Sequence, residues 1–261
     1  MTNKDFHKEK KKQKLKVLII QVGMIFSLFL CWELLGIYEI INTFLFSYPS
    51  QILKLLYQYI VTKEIFTHIF ISVLETILGL IIGMSIGIVV AVIIWWNKML
   101  EKILDPFLVV LNALPKTALA PIIIIWVGTG IKGIVCVAVS ISLVLTILSS
   151  YQYFKNVNEE QILMLKSFNA TKLQILTNLV IPSNIGNLIN LVKINIGMSW
   201  VGVIVGEFIV SKEGIGYLIM YGSQIFKMSL VMMGVLVLSI LSFVMYEIVN
   251  ILEKLWKERR N

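Results

Sequence analysis

With 261 residues, of which 58% are hydrophobic and only 15% charged, and a mean hydropathy of +0.88, the chain falls outside the range of water-soluble domains. The length accommodates about six helices of ~20 residues, and there is too little alternating polar patterning for a transmembrane barrel, so the expected fold class is all-α, a polytopic bundle of six transmembrane helices. The formal charge of +8 is not a nucleic-acid signature, because seven lysines crowd into the first sixteen residues, where a basic block reads as a topology signal.

That block, Lys4, Lys8, Lys10, Lys11, Lys12, Lys14 and Lys16, forms a basic tail over 1–16. The apolar run after it, 17–36, is about a full span long, contains Glu33 and has no small-residue cleavage site behind it, so it is expected as an uncleaved first helix. Cys31 and Cys136 sit in apolar runs and read as small packing residues. His7 and His68 stand apart and make no zinc or catalytic centre. In the connection 37–63, Tyr48-Pro49-Ser50 has the form of a turn opening a short amphipathic helix on the membrane surface.

The second span is predicted over 66–96. Gly79, Gly83 and Gly87 recur at every fourth position and Ala91 continues the series, which puts four small residues on one face and lets another backbone approach closely. A short charged connection is expected at 97–105. The third span, 106–127, is interrupted by Pro115 and Pro121, and backbone carbonyls freed at that depth are tolerated only against protein or a water-filled cavity. The stretch LPKTALAP at 114–121 is therefore the candidate pore lining. Gly128-Thr129-Gly130 is a tight turn before the fourth span, 131–150.

A polar, helix-forming loop follows over 151–186, with a turn signal at Asn169-Ala170-Thr171 and a terminal Pro182. The fifth span, 187–210, carries Gly197, Gly202 and Gly206 for close packing. An outer connection over 211–227 leads to the sixth span, 229–252, and to a basic tail, 253–261. Six spans put both termini on one side, and Lys and Arg number 16 on that side against five on the other. The positive-inside rule then makes the termini and the polar loop cytoplasmic.

Three stretches carry a family resemblance: LPKTALAPIIIIWVGTG (114–130), WVGVIVGEFIVSKEGIGYLI (200–219) and the polar loop NEEQILMLKSFNATKLQILTNLVIP (158–182). From about Phe46 onward the chain resembles the permease subunits of binding-protein-dependent ABC importers, in the branch for nitrate, sulfonates, taurine and pyrimidine vitamin precursors. The resemblance implies a type I permease fold, a second permease copy, a cytoplasmic ABC ATPase dimer and an external solute-binding protein in a cell (inner) membrane. It also makes the polar loop the coupling element that docks on the ATPase.

In that family the loop reads E-A-A-x-x-x-G-x9-I-x-L-P. Leu163, Met164 and Leu165 occupy the E-A-A positions here, Asn169 the Gly position, and Leu179, Ile181 and Pro182 the end. Asn for Gly is mild, since both tolerate a left-handed conformation, whereas Leu163 replaces a charge with an apolar knob. The implied coupling residues are Leu163, Met164, Leu165, Ser167, Phe168, Asn169, Ala170 and Pro182. The chain contains no phosphate-binding G-x-x-x-x-G-K-S/T loop, so ATP and Mg would reside on the partner ATPase and no cofactor on this chain.

Charges inside spans cost roughly 2.5 to 3.5 kcal/mol on insertion scales and each asks for a reason. Lys116 either lines the pathway and favours a small anion, or is held in an ion pair with Glu207, or snorkels. Glu207 is either a gate residue or a polar packing contact. Glu75 stands where family members often carry Arg, so no family role passes to it. Glu33 and Glu247, near span ends, are expected to reach interfacial water. The candidate pathway residues are Pro115, Lys116, Pro121, Trp200 and Glu207. An ion-coupled secondary transporter would show inverted repeats and paired broken helices, and a membrane-embedded enzyme a Ser-His, Asp-pair or metal constellation; the sequence has one broken helix, no evident repeat and none of these constellations.

Overall fold

The computed structural model describes residues 3–258. Arg259 and Arg260 of the basic tail, together with the side chains of His7 and of the lysines up to position 14, lie outside what is described. Among the described residues there are twelve α-helices, one 3-10 turn and one π turn, and no strands. Five helices are long and apolar enough to cross a membrane, and one bent pair passes the same test when taken together.

Helix α1 (Asn3–Ile37) runs through the predicted tail and first span without a break. From Leu15 to Cys31 its described apolar side chains are exposed, and its C-terminal end is pinned. There Trp32 Nε1 donates to the Ser47 carbonyl (3.1 Å), and Gly36 packs where a Cβ would overlap Tyr48. Glu33, expected near interfacial water, lies at the same end of the helix. Its Oε2 accepts from the Ser50 amide (2.9 Å), serving an orphan donor at the start of α3 (Pro49–Val61), whose own N-cap, Tyr48, offers no side-chain bond. A one-turn helix, α2 (Thr43–Phe46), lies between them. The amphipathic α3 buries Ile52 and Leu55 in a cluster with Ile215, Leu230 and Met233.

The centre of the molecule is the packing of α4 (Glu64–Trp96), α7 (Ile131–Lys155) and α10 (Ile181–Val210). Between helices in lipid there is no hydrophobic driving force, so close backbone approach must supply the attraction. The four-residue stripe on α4 does this: a Cβ on Gly79, Gly83 or Gly87 would overlap Ala138, Ser142 or Thr146 of α7. Gly202 and Gly206 of α10 seat against Ala138 and Ile134 from the other side, whereas Gly197, expected to share this role, faces open space.

Helix boundaries depart from expectation in four places. The predicted connection 97–105 is the first half of α5 (Lys98–Ala113), whose N-cap Asn97 accepts from the Met99 amide (2.9 Å). Pro106 therefore lies inside a helix and does not open one. The connection 211–227 contains α11 (Ile215–Gln224), which packs on α12 (Met228–Glu258); α12 in turn carries most of the predicted 253–261 tail as helix. Most of the predicted loop 151–186 is also helical, since α7 runs to Lys155 and a continuous helical segment starts at Lys172 and reaches Val210.

The third crossing is broken once, not twice. Leu114 is extended (φ −64°, ψ 137°), the conformation forced on a residue before proline, and the chain bends by 85° through a 3-10 turn (Lys116–Leu119) into α6 (Ala120–Val127). Pro121 sits in the first turn of α6, where its missing N–H would have had no helical partner, so it leaves the helix intact.

Candidate functional site

Two regions carry polar chemistry, one at each end of the central three helices. At the first, the polar loop folds into α8 (Glu159–Ser167) and a single turn, α9 (Lys172–Ile175). Asn158 caps α8 through a bond from the Glu160 amide (2.8 Å), and Asn169 ends it at φ +57°, a left-handed position that suits Asn or Gly. Thr171 and Gln174 then form a reciprocal capping box that starts α9. A π turn (Leu176–Val180) joins α9 to α10, and Pro182 explains it. Its ring would clash with the carbonyl four residues back and it has no N–H for the regular ladder, so the helix widens, with the Ile181 amide reaching the Leu176 carbonyl.

The packing of α8 divides its apolar residues. Ile162, Leu165 and Ala170 lie against a buried cluster that includes Tyr151, Phe154, Val157 and Ile175. Leu163, Met164 and Phe168 point away from the bundle at 61%, 54% and 76% exposure, and the Ser167 hydroxyl turns back onto the Met164 carbonyl (2.7 Å). Beside α8 lies a groove of about 650 Å³ bordered by Lys98, Lys102, Lys155, Lys166 and Lys172, against the carboxylates Glu101 and Glu159. Lys155 pairs with Glu101 (2.8 Å), and Lys172 donates to the Trp96 carbonyl (2.5 Å) with its ammonium over the Trp96 ring. The balance of the groove stays positive.

At the opposite end, Glu207 is 1% exposed and faces inward from α10. Ser72 Oγ of α4 donates to its Oε1 (2.5 Å), the Gly216 amide donates to its Oε2 (2.5 Å), and the Tyr217 amide also bonds to it. The same Ser72 oxygen accepts from the Ile215 amide (2.8 Å), and His68 Nδ1 accepts from the Gly214 amide (2.9 Å). The carboxylate thus caps the N-terminus of α11, where helix amides lack internal partners. Gly214 (φ +111°) and Gly216 are required there, because a Cβ on either would overlap the Glu207 side chain. Glu75 of α4 is also 1% exposed, and among the described residues its Oε2 has no hydrogen-bond partner.

The proposed pathway residues do not come together as one lining. Lys116 makes no pair with Glu207: its Nζ donates to the Asn112 carbonyl (3.0 Å), the acceptor released by the break at Pro115. Pro115 and Pro121 are exposed around the same bend. Trp200 is buried at 3% exposure in the bundle, whereas Trp126 on α6 is 81% exposed. Sequence reasoning missed the parts played by Ser72 and His68, whose partners lie 135 and more positions away; the GIGY turn at 214–217 was the available signal.

The bundle consists of helices long and apolar enough to cross a membrane, with one polar helical element beyond its end. Residues 79–258, well over half of the chain, match the family described as binding-protein-dependent transport system inner membrane component, and the chain belongs to that family. It is 30% identical over 125 residues to the formylaminopyrimidine transport permease ThiX of Halalkalibacterium halodurans, covering 48% of this chain and 50% of that one. It is 28% identical over 158 residues to the riboflavin transport system permease RibX of Chloroflexus aurantiacus, covering 60% and 59%. The putative aliphatic sulfonates permease SsuC of Bacillus subtilis is 23% identical over 231 residues, covering 88% and 83%. The chain thus spans half to three fifths of the first two relatives. A chain of the MetNI methionine ABC transporter, solved in inward-facing conformations, superposes with a TM-score of 0.61 at 14% identity, over 75% of this chain and 95% of that one. The fold is that of a type I ABC importer permease.

Proposed function

We propose that the chain is the transmembrane permease subunit of an ATP-driven importer. Two copies form the path for a small solute that an external binding protein delivers. Family membership supports the class of machine, and the outward apolar knobs of α8 are the observation that carries the docking role. A helix that spends its inner face on the bundle and leaves Leu163, Met164 and Phe168 exposed needs an apolar counter-surface, and the positive groove beside it favours acidic side chains on the same partner. That partner is a cytoplasmic ABC ATPase dimer, which holds ATP and Mg, and both termini of the permease lie on its side.

Closure of the ATPases draws the two α8 helices together and rocks the bundles between inward-open and outward-open packings, a rigid-body switch between bistable interfaces. The solute class is a small anion such as a sulfonate or nitrate, or a pyrimidine-type vitamin precursor, a reading supported by the sulfonate and formylaminopyrimidine permeases among the relatives. Lys116, Pro115 and Pro121 at the bend between α5 and α6 are the pathway candidates that stand on an accessible surface. The test is the double variant Leu163→Asp with Phe168→Asp, expressed with the cognate ATPase. ATPase co-purification should fall at least tenfold, the effect of losing ~1.4 kcal/mol of association, while the permease still inserts; undiminished co-purification and uptake would remove α8 from the interface.

A further inference from the structure

Among the described residues six buried side-chain polar atoms have no hydrogen-bond partner, and Glu75 Oε2 is the one carboxyl oxygen of the six. An acceptor left in that condition forfeits the water bonds of the unfolded chain and gains nothing in return. Its polar neighbours on α4 are committed elsewhere: Ser72 Oγ donates to Glu207 (2.5 Å) and Thr76 Oγ1 to the Ser72 carbonyl (2.7 Å). Glu75, 1% exposed, instead borders a cavity of about 420 Å³ at the end of the bundle opposite α8.

That volume lies within the range of small-molecule sites, roughly 300–1,000 Å³, and the walls are set by packing. The turn at 128–130 is held by Gly128 and Gly130 at positive φ (+102° and +87°), and Ile134 of α7 is wedged against Gly206 of α10. Beyond α10, the Ser211 hydroxyl is satisfied within its own turn, donating to the Glu213 carbonyl and accepting from the Glu213 amide (3.2 Å). Lys212 and Glu213 line the cavity with opposite charges, so together they favour neither sign of ligand. Ile71, Ile131 and Val210 make the remaining wall apolar, which suits a flat ring better than a strongly hydrated ion.

We propose that this cavity is a binding site for a small aromatic heterocycle with an amino group, an aminopyrimidine-like edge, and that Glu75 is the residue that accepts from it. The inference rests on the reading of the chain as an importer permease and chooses between the two solute classes left open there. An ionised carboxylate only accepts, and a protonated one keeps accepting capacity, so the amino group finds a partner in either state. The ring nitrogen beside it can accept from the protonated form. A sulfonate or nitrate brings acceptors alone and sets them against the same oxygen. In the proposed orientation the cavity is on the side from which the binding protein delivers the solute.

The experiment titrates the full chain in lipid nanodiscs with 4-aminopyrimidine, pyrimidine and ethanesulfonate by ligand-observed NMR, with empty nanodiscs as the blank. 4-Aminopyrimidine should bind at least tenfold more tightly than pyrimidine, the same ring without the donor, and than ethanesulfonate. Glu75→Met, of similar length and without carboxyl oxygens, should bring 4-aminopyrimidine down to the level of pyrimidine. Thr129→Trp, which fills the cavity from an exposed turn, should weaken 4-aminopyrimidine at least tenfold. No binding of 4-aminopyrimidine, equal binding of the two rings, tighter binding of ethanesulfonate, or an unchanged preference in Glu75→Met would overturn the site. If Glu75→Met does not assemble, the wild-type comparison and Thr129→Trp still decide it. The titration needs no ATPase: wild-type co-purification with the ATPase but no ring preference removes this site and keeps the importer reading, and the preference without co-purification does the reverse.

Discussion

Glycines of the same helix have opposite meanings in this molecule. Gly202 meets the backbone of Ala138, which cannot rotate away, while Gly197, five residues earlier, has nothing near the place a Cβ would occupy. Gly202→Ala should therefore destabilise the bundle by about 1–3 kcal/mol, the usual cost of forcing extra volume into a packed contact. Gly197→Ala should be neutral or stabilising by up to about 1 kcal/mol from helix propensity alone. Thermal unfolding of the two purified variants in one detergent checks both, and equal effects would mean that the α7–α10 contact is looser than it looks. Lys193 shows the same dependence on placement. It sits within a span yet is paired with Glu253 (2.5 Å) and bonded to Asn250 (3.0 Å) of α12, so its charge is compensated across helices and not by depth.

Among the elements, α8 and its caps are the most sharply specified by local chemistry. Asn158 begins the helix, Asn169 ends it in a left-handed conformation, and Thr171 with Gln174 restarts the chain as α9. Replacing Asn169 with Gly should leave α8 within a few tenths of a kcal/mol, whereas Asn169→Val puts a β-branched residue at positive φ and should cost about 1–3 kcal/mol of local stability. Hydrogen exchange of the α8 and α9 amides reports this directly: faster exchange confined to that segment is expected for Asn169→Val and wild-type exchange for Asn169→Gly. The prolines also act at this scale, each by a separate mechanism. Pro115 bends the third crossing through its effect on Leu114, Pro182 widens one helical turn, and Pro121 changes nothing because it stands in a first turn.

For the molecule as a whole, the helical segment from Lys172 to Val210 is the connecting rod. Its 39 residues reach about 58 Å at 1.5 Å per residue, against a hydrocarbon core of roughly 30 Å. It must therefore extend beyond the bilayer, and α8 stands beyond the same end, while Glu207 and α11 are at the other. With Cys31 and Cys136 replaced, a cysteine introduced at Glu160 should react with a membrane-impermeant maleimide only in inverted vesicles, and one at Lys212 only in intact cells. The reverse pattern would turn the proposed orientation upside down, and labelling of both from one side would contradict the helix count between them.

The helical class, the glycine seam on α4 and the spacing of the α8 loop were legible in the sequence, because each rests on a local rule. In lipid every backbone group must bond within its own segment, small residues four apart share a face, and caps act over three or four residues. The helix at 98–105 was not legible, since its charges resemble a loop until Asn97 is seen to cap them. Nor was the use of Glu33 as a cap for α3 across 17 positions, or the contact of Ser72 with Glu207 across 135. Hydropathy and local pattern were enough to say what lies in the membrane and where the chain must turn. Which buried polar groups meet was settled by the packing of α4, α10 and α11, because helices far apart in the chain become neighbours through their shared surfaces and not through any signal within either one.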